Sequence, residues 1–189
     1  QLRMLLIGAP GAGKGTQSAR LQRDYSFSAL SSGDLLRRHV ANRTAVGQQA
    51  AQIMARGELV PDALMIRLIL AELAQLGGTG HRDWLLDGFP RNKAQATSLD
   101  TTLMQRGTPL NMVVSLQVPD EVILERILSR WVHAPSGRVY NLGYNPPHRP
   151  GLDDVTGEPL TRRPDDTEPV FRSRMRAFRE TTEPLLEHY

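Results

Sequence analysis

Nine residues near the start of the chain carry the clearest chemistry: Gly8-Ala9-Pro10-Gly11-Ala12-Gly13-Lys14-Gly15-Thr16. They follow the apolar run Leu2-Arg3-Met4-Leu5-Leu6-Ile7, which reads as a buried parallel strand, and lead into a helical pattern from Lys14 to about Tyr25. In that setting a glycine-rich turn exposes consecutive backbone N–H groups that form an anion nest, backed by the positive end of the helix. Lys14 supplies a compact charge between phosphates, and Gly11, Ala12, Gly13, Gly15 and Thr16 complete the cradle. The generic phosphate loop has Ser or Thr directly after the lysine, whereas here Gly15 intervenes before Thr16. A glycine-rich turn without a ligand is the plain alternative. Nine matched residues in context favour phosphate.

Other residues fit around that anion. Asp87, in Asp87-Gly88-Phe89-Pro90-Arg91, ends a second buried strand, where an acid beside a phosphate loop can hold Mg2+ through water. It could also cap the next helix. Ser31-Ser32-Gly33-Asp34 matches a capping box, and Arg37 one turn on makes that helix start a phosphate candidate. Arg126 and Arg130 are spaced to share a helix face, and Arg163 and Arg174 bracket the end of an unusual segment. Any one of these arginines alone reads as a solvated surface residue; together they suit polyphosphate. His133, Ser136, Asp153 and Thr156 read as a structural hydrogen-bond cluster rather than a Zn2+ shell. Trp131, Tyr140 and Tyr144 read as a small apolar core, with Tyr140 also placed to touch a base.

These residues need positioning elements, and the pattern supplies them. Helical segments are expected over 35–39, 46–55 and 61–76, the last with Pro61 at its first position and Gly77-Gly78 past its end. Strands are expected at Trp84-Leu85-Leu86 and over 112–118, with a helix over 93–105 and another opened by Pro119. Alternating strands and helices predict an α/β fold with a parallel sheet. Six of the 13 prolines and four glycines fall between Trp131 and Thr167, which predicts a small β-rich insertion. A last helix carries Phe171, Met175 and Phe178 on one side.

Composition removes several classes. At 189 residues the chain suits one domain with inserted subdomains, and with no cysteine it has no thiol nucleophile, disulfide or thiolate–zinc site. Of 23 basic residues only Lys14 and Lys93 are lysine, and the net charge is just +3. No run of five like charges favours nucleic acid, and no apolar stretch nears the roughly 20 residues that span a bilayer.

The motifs together resemble the adenylate kinase family, in its long-lid form: GAPGAGKGT (8–16), LSSGDLLR (30–37), GELVPD (57–62), LLDGFPR (85–91), HAPSGRVYN (133–141), YNPP (144–147) and DDVTGEPL (153–160). The Gly-Thr after the lysine is normal in that family. The resemblance implies a P-loop nucleotide kinase fold: a core of 1–31, 62–130 and 168–189, a helical NMP-binding segment at 32–61, and a lid at 131–167. It implies that Gly11 to Thr16, with Arg130, Val139 and Tyr140, bind the donor. Ser32, Arg37, Glu58, Leu59, Val60, Gly88, Phe89, Pro90, Arg91 and Gln95 match AMP-site positions, with Gln95 on the adenine and Arg37 and Arg91 on the phosphate. Arg126 and Arg130 match arginines on the donor polyphosphate. Arg163 and Arg174 match those clamping the transferring group and completing the AMP site. Lys14, Arg91, Arg126, Arg130, Arg163 and Arg174 are thus the catalytic set, with Mg2+ through Asp87. His133, Ser136, Asp153 and Thr156 stand where zinc-binding members carry ligands, so no zinc is expected.

Within the family, Arg130-Trp131-Val132-His133 and Val139-Tyr140-Asn141 look most like the mitochondrial GTP:AMP phosphotransferases. The reaction implied is NTP + AMP ⇌ NDP + ADP with GTP as donor, in a monomer of the mitochondrial matrix, or otherwise of the cytoplasm, without nucleic-acid or membrane partners. An ATP:AMP kinase and a non-catalytic nucleotide-binding protein are the alternatives. Family members continue past the equivalent of Tyr189 with a strand and helix that contribute to the donor-base site. The acceptor phosphate is largely ionised at neutral pH, so in-line positioning and charge cancellation, rather than a general base, are what the reaction needs.

Overall fold

The chain starts on β1 (Arg3–Gly8), whose residues 4–8 are all buried. Its side chains alternate between two cores: Met4 and Leu6 join Phe27 and Leu85 on one face, and Leu5 joins Leu30, Ile69 and Leu86 on the other. Burial on both faces is why the run is continuously apolar rather than alternating. A computed structural model describes residues 1–56, 58–77 and 83–189. The parallel sheet has the order β2-β3-β1-β4, with β2 (Ser28–Ser31), β3 (Trp84–Asp87) and β4 (Met112–Leu116). Register pairs Leu6 with Asp87 and Ile7 with Ser115, so the loop after β1 and the end of β3 open at the same edge. That edge, at the strands' carboxyl ends, is where α/β sheets bind ligands.

Helices flank the sheet: α1 (Lys14–Tyr25), α2 (Ser32–Ala41), α3 (Ala45–Ala55), α4 (Asp62–Gly77), α5 (Lys93–Gln105), α6 (Asp120–Leu128) and α7 (Glu168–Ala177). Ser31 caps α2 by accepting from the Asp34 N–H at 3.3 Å. Thr44 does the same for α3 through Gly47, and Asn92 for α5 through Gln95. A π-helical turn, Phe178–Thr182, and α8 (Leu185–His188) follow α7. Between α6 and α7 the insertion is built on the antiparallel pair β5 (Arg130–Val132) and β6 (Val139–Asn141), extended by the bridge Val132–Thr161.

Several expectations are corrected. Strand β2 was not anticipated, because Ser28-Ala29-Leu30-Ser31 is short and half polar; it gains its place by pairing with β3. Arg130 does not extend the face of Arg126, since α6 stops at Leu128 and Arg130 opens β5. Tyr144 is 56% exposed and outside the lid's core. The fourth strand ends at Leu116, Pro61 precedes α4, and Gly77 lies within it. Gly78 lies outside the described residues. Asp87 does not cap α5, because Asn92 does.

One glycine decides how α2 and α3 meet. A Cβ on Gly47 would stand 2.0 Å from the His39 carbonyl oxygen and 2.6 Å from the Val40 nitrogen, both backbone atoms unable to rotate away. Gly47→Ala is therefore expected to cost about 2–3 kcal/mol, lowering the melting temperature by roughly 4–12 °C. Calorimetry finding a shift below about 1 °C would show that the helices can part without penalty.

Candidate functional site

The loop between β1 and α1 is shaped by two glycines in the left-handed region, Gly11 (φ 88°) and Gly13 (φ 99°). Gly11 is also pressed on α6, where an added Cβ would lie 2.7 Å from Ile123 and 2.8 Å from Ile127. Gly13 heads α1 with no side-chain cap, so the first-turn N–H groups face the loop's concavity. At Gly15 an added Cβ would meet nothing within 4 Å, so this position is not closed by packing. Lys14 Nζ donates to the carbonyls of Gly8 (2.8 Å) and Ala9 (3.0 Å). Burial pulls the Lys14 pKa down, against the opposing charge of Asp87, with Arg91 and Arg130 adding to the fall.

Asp87 is 8% exposed at the end of β3. Burial raises its pKa, opposed by Lys14 and Arg91. Its carboxylate therefore sits in a poorly solvated place with the Lys14 and Arg91 charges acting on it, where a further cation is favourable. That fits a hydrated Mg2+ held near the phosphates. No group of three or more His, Asp or Glu side chains among the described residues is arranged as a metal site.

Arg91 is held on three sides. Its Nε donates to Gly88 O at 2.7 Å, its backbone N–H to Gln95 Oε1 at 2.8 Å, and Nη2 lies 3.4 Å from Ser32 Oγ. Ser32 itself donates to Gly88 O at 2.7 Å, and Gly88 (φ 75°) has no room for a Cβ against that hydroxyl. Phe89–Pro90 is a cis peptide bond. Burial lowers the Arg91 pKa, and the charges of Arg174 and Arg37 push it the same way. One cleft brings together Lys14, Arg37, Glu58, Leu59, Val60, Gly88, Phe89, Pro90, Arg91, Gln95 and Arg174. Glu58 is exposed and paired with Arg56 at 2.9 Å.

Four of the other arginines, Arg37, Arg130, Arg163 and Arg174, each meet a carboxylate. Arg37 pairs with Asp34, and Arg163 stands 4.0 Å from the same group. Arg130 holds Asp166 bidentately, through Nε at 2.8 Å and a second contact to Oδ1, and Arg174 pairs with Asp165. Burial, then the charges of Arg37 and Arg130, lowers the Arg163 pKa to about 10. Arg126 reaches back to the loop, donating to Ala12 O at 3.4 Å, and lies 5.8 Å over the Tyr144 ring. It borders a second recess lined by Ala12, Gln17 and residues 115–118. Val139 is at the lid surface, whereas Tyr140 is turned inward and 5% exposed.

In the lid, Asp153 is the hub. It accepts from Arg138 Nε (2.8 Å) and Nη2 (2.6 Å), the Tyr140 hydroxyl (2.8 Å) and the Thr156 hydroxyl (3.0 Å). His133 is hydrogen-bonded to Ser136 Oγ at 2.7 Å and to Glu158 Oε2 at 2.6 Å. The four residues singled out in sequence are thus together, with Arg138, Tyr140 and Glu158 as members that were missed. Asp34, Asp165 and Asp166 were also missed as partners of the arginines. Arg162-Arg163-Pro164-Asp165-Asp166 marks an acid pair among basic residues, but those acids pair with Arg174 and Arg130 and not with their sequence neighbours. Thr182, whose hydroxyl donates to Arg91 O at 2.7 Å, had no local signal.

A phosphate cradle at the end of a parallel strand, a buried acid beside it, and arginines from α2, the loop after β3 and α7 lining one cleft define a P-loop nucleotide kinase. The sequence profile of the adenylate kinase family matches residues 6–189, so this chain belongs to that family. It is 53% identical over 190 residues to the mitochondrial GTP:AMP phosphotransferase of Saccharomyces cerevisiae, covering 100% of this chain and 84% of that one. It is 43% identical to the mitochondrial GTP:AMP phosphotransferase of Drosophila melanogaster, covering 99% and 83%. Adenylate kinase 4 of Oryza sativa is likewise 43% identical, covering 99% and 76%.

The lid hub carries a pH prediction. Arg138, above all, holds the Asp153 carboxyl well below the usual carboxylate range, joined by hydrogen bonds from Thr156 and Tyr140. A depressed folded-state pKa contributes stability that is complete above an unfolded pKa of about 4 and is lost as pH falls below it. Asp153→Asn should therefore melt earlier than the unmodified protein at pH 7, with the gap narrowing below about pH 4. A gap constant from pH 7 to pH 3 would refute the charge-based account.

Proposed function

We propose that the protein catalyses reversible transfer of the terminal phosphoryl group from GTP to AMP, giving GDP and ADP. The observation that carries the phosphoryl-transfer reading is the convergence of Lys14, Arg37, Arg91 and Arg174 on one cleft lined by the phosphate loop. The GTP preference is supported by the names of the yeast and fly relatives. ATP as donor is the second reading, since the rice relative, named adenylate kinase 4, carries no GTP in its name.

In this reading the N–H groups of Gly11 to Thr16 and Lys14 hold the donor's phosphates, and Arg126 and Arg130 neutralise them from the opposite side. Arg37 and Arg91 orient the AMP phosphate, whose ionised oxygen attacks in line without a general base. Ser32, Glu58 to Val60, Gly88 to Pro90 and Gln95 shape the AMP pocket. Arg163 and Arg174 stabilise the charge on the transferring group. Mg2+, held through water by Asp87, supplies charge cancellation across the donor phosphates when bound. Val139, at the lid surface, faces the donor nucleoside with the backbone of Tyr140, whose side chain is turned inward onto Asp153 instead of touching the base.

The proposed movable parts are an NMP-binding segment at 32–61 and a lid at 131–167, on a core of 1–31, 62–130 and 168–189. Their closure excludes water that would hydrolyse the donor; adenylate kinase is a standard example of such a lid. The His133, Ser136, Asp153 and Thr156 network stiffens the lid without zinc. No described helix is long and apolar enough to cross a membrane. A monomer in the mitochondrial matrix, acting on nucleotides and not on nucleic acid, completes the proposal.

Initial rates with saturating GTP and with ATP, each with AMP and Mg2+, test the donor. The expected result is a higher kcat/KM with GTP; equal or higher values with ATP favour the second reading. Lys14→Met should lower kcat at least about a hundredfold, and near-normal turnover would overturn the mechanism.

A further inference from the structure

Asp62 is the first residue of α4 and is tied to the acceptor cleft through Gln95. Its Oδ1 accepts from Gln95 Nε2 at 2.7 Å and from Asn92 Nδ2 at 2.8 Å. Gln95 is 1% exposed and lines the cleft beside Arg91. Its backbone N–H is fixed in turn by Asn92 Oδ1 at 2.9 Å. The other end of its side-chain amide, Oε1, accepts from the Arg91 backbone N–H at 2.8 Å.

The two neighbours of this amide are each single-function groups. A backbone N–H can only donate, so it selects the amide oxygen. A carboxylate can only accept, so it selects the amide nitrogen. Together they forbid the flipped amide, which would set donor against donor at Arg91 and acceptor against acceptor at Asp62. What Gln95 has left for a ligand is one Nε2–H and one Oε1 lone pair.

We propose that Asp62 is a positioning residue that fixes the polarity of the Gln95 amide and thereby makes the acceptor site select adenine over a 6-oxopurine. This rests on the reading of the cleft as the AMP site. Adenine presents an acceptor at N1 and an amino donor at C6, complementary to the remaining N–H and lone pair. Hypoxanthine and guanine present N1–H and O6, the reverse pattern, and meet a buried donor with a donor. A buried polar group left unpaired in this way discriminates far more strongly than a lost apolar contact.

The test measures kcat/KM with AMP and with IMP, which differs from AMP only at that edge, using a fixed donor. The unmodified protein is expected to prefer AMP at least about a hundredfold. Asp62→Leu should reduce that ratio about tenfold, mainly through a higher KM for AMP, while the donor's KM stays unchanged. Asp62→Asn keeps an acceptor oxygen and should hold the ratio within about threefold. Should Asp62→Leu not fold, Gln95→Glu tests the premise that this side chain reads the base: sharing a proton with Asp62, it offers no N–H and should turn the ratio towards IMP. An Asp62→Leu protein that loses AMP and IMP activity equally, or a Gln95→Glu protein with an unchanged ratio, overturns the assignment. Equilibrium binding of AMP and IMP separates the two readings. Selective AMP binding that responds to Asp62→Leu, without turnover, upholds Asp62 and fails the kinase; turnover without AMP:IMP discrimination does the reverse.

Discussion

The structure depends on keeping a crowd of like charges together. Arg37, Arg91, Arg130, Arg163 and Arg174 are near enough to perturb one another: burial first, then the neighbouring arginine charges, lowers the pKa of Arg91 and of Arg163. Most of these groups are partly buried, where repulsion is little screened and desolvation adds to it. The protein answers with carboxylates set at the same junction: Asp34 for Arg37 and Arg163, Asp165 for Arg174, Asp166 for Arg130. Among the described residues Arg91 has no such partner, and it is held by the Gly88 carbonyl instead. These pairs hold the guanidinium forks in place, and a phosphate offers each fork a bidentate alternative.

That arrangement also explains where the backbone departs from regular structure. Gly11 and Gly13 let the loop turn tightly over α6, and Gly88 lets the chain pass Ser32 and return Arg91 to the cleft. The π-helical turn after α7 sets Thr182 against the Arg91 carbonyl, and π-turns are rare enough to mark function. Each of these departures either turns backbone N–H groups of α1 towards the loop's concavity or fixes Arg91. The surrounding sheet, buried on both faces, is what makes such local geometry persist.

The lid solves a separate problem. With two three-residue strands and little apolar content, it has too small a core to hold itself by burial. Asp153, fully enclosed and taking hydrogen bonds from Arg138, Tyr140 and Thr156, does the work that a metal or disulfide would do elsewhere. Such a network is specific because every member must be satisfied at once.

Much of this was legible in sequence where local rules decide. The phosphate loop, the apolar run of β1, the caps Ser31 and Asn92, and the composition shift at 131–167 each follow from residue type and short-range spacing. Arg130 could not be placed that way, because helical spacing continues past Leu128 while the chain turns into β5. Nor could β2, which exists only through its pairing with β3. The sequence by itself determined the chemistry: which groups carry charge, which backbone can turn, and which class of ligand suits them. Only the tertiary structure decided the partners, such as Asp34 shared by two arginines, Thr182 on Arg91, and Asp62 on Gln95. Apart from Arg37 on Asp34, three residues apart on α2, those are contacts across long stretches of chain, and their geometry comes from packing on both faces of the sheet rather than from anything written locally.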